Sequence, residues 1–145
     1  MTTKATIWAD GGSYNNQLAS RQGYCSIALD VNGKPRSMTI LQKALTIITR
    51  KLGEGITNNA AELEACLMAF QYIEAVELRA PESHIDWEIY SDSTLVVNLD
   101  KRAMPKKPAP QLQELYRQLL AELLERPGIH IIKVTGDEMK ARLGH

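Results

Sequence analysis

Apolar residues in the first third of the chain recur in short runs with β-branched and aromatic members, which is typical of strands. Lys4–Ala9 is the first such run and Gly23–Asp30 the second. Asn32-Gly33 follows and predicts a two-residue hairpin turn, so a third strand is expected over Lys34–Leu41, antiparallel to the second. The segment 42–55 has an apolar centre with polar flanks and is interpreted as a strand continuation or an insertion.

The middle of the chain changes to a helical period. An Asn of the segment Thr57-Asn58-Asn59 is expected to cap a helix that runs to about Leu78. Leu63, Leu67 and Phe70 recur at helical spacing and predict its buried stripe. The next segment, Ile85–Ser91, alternates apolar and polar residues as a strand does.

The last third of the chain predicts two further helices and a strand. One helix follows Asp92, and a second begins near Pro110 with leucines at helical spacing. Ile129–Val134 is the last predicted strand, and Gly136–His145 is expected to be a polar tail. Hairpin-joined strands followed by strand-helix crossovers predict an α/β fold: a five-stranded mixed sheet, three antiparallel strands then parallel strands, with helices packed on it.

Composition narrows the class of protein. With 145 residues, 44% of them hydrophobic, the chain matches one domain spanning 1–145. A net charge of zero offers no global attraction to a polyanion, so nucleic-acid binding would depend on local geometry. The sequence has neither a signal-peptide pattern nor an apolar run of membrane-spanning length, and Cys25 and Cys66 lie in apolar surroundings. We therefore expect a cytoplasmic protein with buried free thiols and no membrane association.

Three carboxylates stand at the predicted ends of elements. Asp10 ends the first strand, Asp92 ends the strand before the second helix, and Glu62 lies one turn into the first helix. The predicted sheet allows these side chains to converge, where their repulsion would be about 1 to 4 kcal/mol per pair. A divalent cation removes that repulsion, and a cluster of Asp and Glu without His or Cys favours Mg²⁺ or Mn²⁺ over zinc.

The motifs around these carboxylates resemble those of the ribonuclease H type 1 family, within the ribonuclease-H-like superfamily. Asp10-Gly-Gly-Ser13, Thr57-Asn-Asn-x-x-Glu62-Leu63 and Tyr90-Ser-Asp92-Ser93 occur in the family's order, each at a predicted strand or helix end. The resemblance covers nearly the whole chain, and the second motif is the most specific. It implies an endoribonuclease that hydrolyses the RNA strand of RNA–DNA hybrids.

The same resemblance implies that Asp10, Glu62 and Asp92 are catalytic metal ligands. Phosphodiester hydrolysis suits two Mg²⁺ or Mn²⁺ ions, both expected when substrate is bound, with Asp10 as the bridging ligand. We expect no small-molecule cofactor. The protein is expected to act as a monomer on its hybrid substrate.

Discrimination of RNA from DNA requires contacts to 2′-hydroxyl groups in the minor groove. The resemblance assigns this task to Asn58, Asn59 and the loop Ser13–Asn16, in which Asn15 and Asn16 carry amides that both donate and accept hydrogen bonds. Gly11 and Gly12 permit close approach of backbone or ligand. Ser93 and Thr94, at a helix start, are candidates for holding a phosphate of the DNA strand.

The end of the chain departs from the family pattern. Members usually have a Gly-His pair, a second Gly-His, and a fourth metal-binding Asp on a C-terminal helix. We expect this chain to lack that helix and its acidic ligand, with Asp137 in place of the first His and His145 matching the second. Either the site is one ligand short, or Asp137 or Glu138 moves in as the fourth ligand. A missing ligand would lower activity or make it more dependent on Mn²⁺.

Two alternatives stay open at this stage. One is a catalytically weak or inactive module of the same fold that binds a hybrid or an RNA duplex. The other is a different ribonuclease-H-like nuclease that acts on DNA, because fold alone does not fix the substrate.

Overall fold

A computed structural model of the protein describes residues 2–14, 22–40, 42–103 and 107–144. Its strands are β1 (Thr3–Tyr14), β2 (Gln22–Val31), β3 (Lys34–Arg36), β4 (Met38–Ile40), β5 (Lys43–Leu45), β6 (Ile47–Glu54), β7 (Ile85–Ser91) and β8 (His130–Lys133). Its helices are α1 (Asn58–Arg79), α2 (Thr94–Asp100), α3 (Pro110–Glu125) and α4 (Gly136–Leu143).

The main sheet is mixed, as predicted. Its order is β3-β2-β1-β7-β8, with β6 also paired to β2. β2 lies antiparallel to β1, β3 and β6, whereas the pairs β1–β7 and β7–β8 are parallel. The antiparallel hairpins and the parallel crossovers therefore occupy opposite sides of β1, which is the central strand.

The predicted count of five strands is wrong, because the described residues form a main sheet of six strands. The expected third strand, Lys34–Leu41, divides into β3, which pairs with β2, and β4, which pairs with β5 in a separate two-stranded sheet. β6 provides the long partner of β2, so the segment 42–55 is largely strand. Burial explains the division: Ile48 of β6 packs against the core opposite Ile27, whereas β3 is exposed throughout.

α1 is the central helix and packs against β1, β2 and α3. Its cap is Thr57 and not an asparagine, because the Thr57 Oγ1 accepts a hydrogen bond from the Ala60 amide at 3.2 Å. The predicted stripe of Leu63, Leu67 and Phe70 is buried. α1 also buries small residues beside this stripe, and their small size lets the helix lie close to the sheet.

α4 corrects the prediction of a polar tail over Gly136–His145. Met139 and Leu143, four residues apart, are buried in a cluster with Ala28 and Val134. Ala28 alternates with the core residues Ile27 and Leu29 of the main cluster, so α4 covers the opposite face of the sheet from α1.

Thr135 and Glu138 form a capping box at the start of α4. The Glu138 amide donates to Thr135 Oγ1 at 3.0 Å, and the Thr135 amide donates to Glu138 Oε1 at 3.1 Å. The pattern Thr-x-x-Glu with apolar residues at helical spacing was the signal for this helix. Among the described residues, no helix is long and apolar enough to cross a membrane.

Candidate active site

Asp10, Glu62 and Asp92 meet at one edge of the sheet. Each offers a carboxylate oxygen, and these three oxygens lie within 4.8 Å of one another. The parallel ladder of β1 and β7 runs to Trp8↔Tyr90 and brings Asp10 and Asp92, each two residues further on, together. The prediction that the first strand ends at Asp10 is wrong, because β1 continues to Tyr14 through its pairing with β2. The sheet therefore produces the convergence that the sequence predicted.

Gly11 lets the helix bring the third carboxylate in. A Cβ atom at Gly11 would lie 2.1 Å from the Ala61 carbonyl oxygen and 2.5 Å from the Glu62 amide nitrogen. Only a residue without a side chain allows β1 and α1 to approach this closely. This contact fixes the position of Glu62 along β1, so that Glu62 lies beside Asp10.

Burial and mutual repulsion dominate the electrostatics of the site. Burial, followed by the negative charge of Asp92, raises the pKa of Asp10 to about 7. Burial, followed by the charges of Asp10 and Asp92, raises the pKa of Glu62 to about 9. Hydrogen bonding to the Gly11 backbone lowers the pKa of both residues and so opposes these shifts. The positive charge of Lys133 also lowers the pKa of Glu62. Without a cation, the site therefore favours protonated carboxyls near neutral pH.

Two oxygen atoms of the site are suited to a metal ion. Glu62 Oε2 and Asp92 Oδ1 are both buried, and neither has a hydrogen-bond partner among the described residues. A buried carboxylate oxygen without a partner is unfavourable unless a ligand compensates it. Clustered carboxylate oxygens are ligands that Mg²⁺ and Mn²⁺ accept, so the residues present fit such an ion.

The predicted substrate residues fall close to this site. Ser13 Oγ donates a hydrogen bond to Asn58 Oδ1 at 3.0 Å, which joins the end of β1 to the start of α1. Asn58 and Asn59 are exposed, whereas Ser13 and Gly12 are half-buried. A Cβ at Gly12 would lie 2.7 Å from the Tyr24 hydroxyl oxygen. The predicted residues Asn15 and Asn16 lie outside the described residues.

Ser93 and Thr94 begin α2, directly after Asp92. The Ser93 Oγ accepts from the Val96 amide at 3.4 Å and so caps the helix. Thr94 is exposed, and its Oγ1 accepts from Lys133 Nζ at 3.1 Å. Both hydroxyl groups therefore have protein partners in this state.

Asp137 and Glu138 lie in the exposed first turn of α4, outside the three-carboxylate group. The Glu138 carboxylate is held in the capping box. The turn itself is close to the site, because a Cβ at Gly136 would lie 3.8 Å from Asp92 Oδ2. His145 lies outside the described residues.

Sequence reasoning missed Lys133 of β8. Its ammonium group donates to the Asp92 carbonyl oxygen and to Thr94 Oγ1. The signal lies in the pairing register, because β8 places Lys133 directly beside Ser91 of β7. The sequence contains no motif that gives this register.

Comparisons with known proteins agree with the fold. The RNase H family model matches residues 2–141. LC11-RNase H1, isolated from compost by a metagenomic approach, superposes with a TM-score of 0.66 at 23% identity over 97% of this chain and 90% of that chain. The N-terminal RNase H domain of Rv2228c from Mycobacterium tuberculosis gives 0.68 at 24% identity, covering 98% of this chain and 91% of that chain.

A second structure of LC11-RNase H1 contains an RNA/DNA hybrid. It gives a TM-score of 0.66 at 20% identity, over 94% of this chain and 89% of that chain. No curated protein matches the chain.

Proposed function

The chain belongs to the RNase H family, and from this premise we propose that it hydrolyses the RNA strand of RNA–DNA hybrids with divalent metal ions at Asp10, Glu62 and Asp92. One observation carries the proposal. Three carboxylate oxygens lie within 4.8 Å of one another, and two buried carboxylate oxygens in the same group lack partners among the described residues. Such an arrangement is unfavourable for a structural role and favourable for binding a cation.

Mg²⁺ or Mn²⁺, two ions with substrate bound, would supply an activated water and stabilisation of the leaving 3′-oxygen. The surrounding residues of the chain hold these three carboxylates in position. Asp10 is the proposed bridging ligand and would hold both ions, whereas Glu62 and Asp92 would each contribute to one of them. The Gly11 backbone, which hydrogen-bonds to Asp10 and Glu62, favours their ionised forms.

The choice of hybrid as substrate is supported by the polar groups beside the carboxylates. The bonded pair Ser13 and Asn58 places a hydroxyl and an amide at the surface next to the site. Both groups can donate to and accept from a ribose 2′-hydroxyl, which is the group that distinguishes RNA from DNA. Asn59 belongs to the same proposed surface, Asn15 and Asn16 stay predicted substrate contacts from the sequence, and the hybrid complex of LC11-RNase H1 supports the choice of substrate.

We assign Ser93 and Thr94 to the DNA strand. In this proposal the exposed Thr94 hydroxyl donates its own proton to a phosphate oxygen and keeps accepting from Lys133, while Ser93 keeps its capping bond. The wider proposal includes a single domain spanning 1–145 that acts as a monomer in the cytoplasm.

Asp137 is the proposed fourth acidic group. It follows Gly136, which adjoins Asp92, whereas Glu138 would have to leave its capping box to reach the site. A rotation of one exposed side chain is less costly than breaking a cap that contributes about 1 kcal/mol. Asp137 is therefore expected to complete the ligand set when metal and substrate are bound.

Metal titration followed by a cleavage assay tests the proposal. Calorimetry should detect Mn²⁺ binding to the wild-type protein and much weaker binding to Asp10→Asn. Labelled RNA in a hybrid should be cut by the wild type and not by Asp10→Asn. Metal binding without cleavage would favour the binding-module alternative, and cleavage of an all-DNA duplex would favour a different nuclease.

A further inference from the structure

Lys133 connects β8 to the turn that carries Asp92. β7 and β8 pair in parallel up to Ser91↔Lys133, and the ladder ends with the Val134 amide donating to the Ser91 carbonyl oxygen at 3.0 Å. The Lys133 side chain then extends past the end of β7. Its Nζ donates to the Asp92 carbonyl oxygen and, at 3.1 Å, to Thr94 Oγ1.

Two other hydrogen bonds of this turn are local. The Ser93 amide donates to Ser91 Oγ at 3.1 Å, and the Val97 amide donates to the Ser93 carbonyl oxygen at 3.1 Å. These bonds shape the turn but join it only to its own segment. Lys133 ties the turn to a different strand, on both sides of Ser93.

The groups that accept hydrogen bonds from Lys133 indicate its role. Among the described residues it forms no salt bridge with a carboxylate side chain, and its two bonded acceptors are a backbone carbonyl and a hydroxyl. The Asp92 Oδ1 atom has no partner within the same described part of the chain. The direction of the Asp92 carboxylate therefore depends on how its backbone is held, together with its hydrogen bond to Asp10.

We propose that Lys133 is a positioning residue, which holds the turn between β7 and α2 so that the Asp92 carboxylate stays aimed at Asp10 and Glu62. The catalytic part of this inference rests on the proposed function. The structural part does not, because it concerns the turn in the metal-free protein. Groups that orient metal ligands commonly affect metal affinity or activity about 10-fold to 100-fold.

Two other roles for Lys133 make different predictions. A purely electrostatic role implies that removing the positive charge tightens metal binding, since a lysine repels a cation. A direct contact to a substrate phosphate implies a higher KM and a shallower dependence of binding on salt, with kcat preserved. A positioning role implies a lower kcat at saturating metal and hybrid.

Hydrogen exchange of the metal-free protein tests the structural part. Lys133→Met keeps the length of the stem and removes the donors, and the Ser93–Val96 amides should then exchange at least about 5-fold faster. Lys133→Arg retains a cationic donor and should restore most of the protection. Lys34→Met is the matched control, because Lys34 pairs with Val31, which lies opposite Ala5 at the far end of β1.

Kinetics and Mn²⁺ titration test the catalytic part. Lys133→Met should lower kcat about 10-fold at saturating metal, with KM within about 2-fold of wild type, and Lys133→Arg should recover kcat. Unchanged exchange in Lys133→Met, tighter Mn²⁺ binding with unchanged kcat, or an effect on KM alone would each overturn the proposal. If the wild-type protein cleaves no hybrid, the proposed function fails, whereas the exchange result still decides whether Lys133 holds the turn.

Discussion

Gly11 of β1 lies directly against Ala61 of α1, so closely that a Cβ atom on Gly11 would be 2.1 Å from the Ala61 carbonyl oxygen. This contact sets the distance between the strand that carries Asp10 and the helix that carries Glu62. The site therefore depends on the absence of one side chain as much as on the presence of three carboxylates.

Gly11→Ala should damage the site through the backbone. The added methyl group must push α1 away from β1, at about 1 to 3 kcal/mol of unfolding free energy, and it moves Glu62 with the helix. A displacement of about 1 Å can lower the rate about 100-fold. Urea unfolding and hybrid cleavage measure the two effects.

Gly128→Ala is the matched control for this substitution. A Cβ at Gly128 would meet nothing within 4 Å, and its backbone does not require glycine. Stability and activity of this variant should match wild type. A Gly11→Ala protein with full activity would show that the close contact does not position Glu62.

The stability of the metal-free protein should fall as pH rises from about 4 to 9. The folded pKa values of Asp10 and Glu62, about 7 and about 9, lie above their unfolded values, so the folded state binds more protons in this window. The stabilising contribution is complete below the unfolded values near 4 and is lost as pH rises through the folded values. One pKa unit corresponds to about 1.4 kcal/mol, so we expect a loss of several kcal/mol across this window, measured by urea unfolding in EDTA.

Neutral variants and added metal provide the controls for this pH dependence. The double variant Asp10→Asn, Glu62→Gln removes both titrating groups and should have a flatter stability profile. Mn²⁺ should stabilise the wild type most at high pH, because binding requires ionised carboxylates. An equal slope in the wild type and the double variant would contradict the assignment.

Asp137→Asn tests the proposed fourth acidic group. The change should lower Mg²⁺-dependent cleavage about 10-fold and leave less of a defect in Mn²⁺, which binds such sites more tightly. Glu138→Gln is the comparison, since Gln also serves in a capping box and should preserve both activity and stability. Full Mg²⁺-dependent activity in Asp137→Asn would remove Asp137 from the ligand set.

Arg142 of α4 and Asp30 of β2 should hold the C-terminal helix on the sheet. The guanidinium donates to Asp30 Oδ1 at 2.7 and 2.9 Å and to the Leu29 carbonyl oxygen at 3.0 Å, and both side chains are largely buried. Arg142→Met should lower the unfolding free energy by about 1 to 3 kcal/mol, because Asp30 then keeps mainly its bond from Trp8.

Arg117→Met is the control for the Arg142 substitution. Arg117 pairs with Glu114 on the exposed face of α3, and its loss should leave the unfolding midpoint unchanged. Equal destabilisation by both substitutions would show that the buried pair has no special role in docking α4.

The elements that sequence pattern predicted well have strong local signals. The alternation in Ile85–Ser91 and the leucine spacing after Pro110 were sufficient for β7 and α3. The expected sheet was sufficient to bring Asp10 and Asp92 together, although β1 continues past Asp10 to Tyr14. Such elements form because their own periodicity matches the face they bury.

The features that the sequence did not predict have two causes. Some depend on competition between segments for the same partner, and others have a local signal that is easy to overlook. The sequence of Lys34–Arg36 does not indicate that Ile47–Glu54 pairs with a longer stretch of β2. That longer pairing is favoured because it packs Ile48 against the core. The helix α4 had a readable capping box and two apolar residues four apart. The position of Lys133 beside the site follows only from the register in which β8 pairs with β7.

The most direct test of the central claim compares four duplex substrates of one base sequence in Mg²⁺. They are RNA–DNA labelled on the RNA strand, the same hybrid labelled on the DNA strand, all-RNA and all-DNA. The wild-type protein should cut only the RNA strand of the hybrid, and Asp10→Asn should cut none of the four. Cleavage of the DNA strand or of the all-DNA duplex by the wild type, or equal cleavage by Asp10→Asn, would contradict the account.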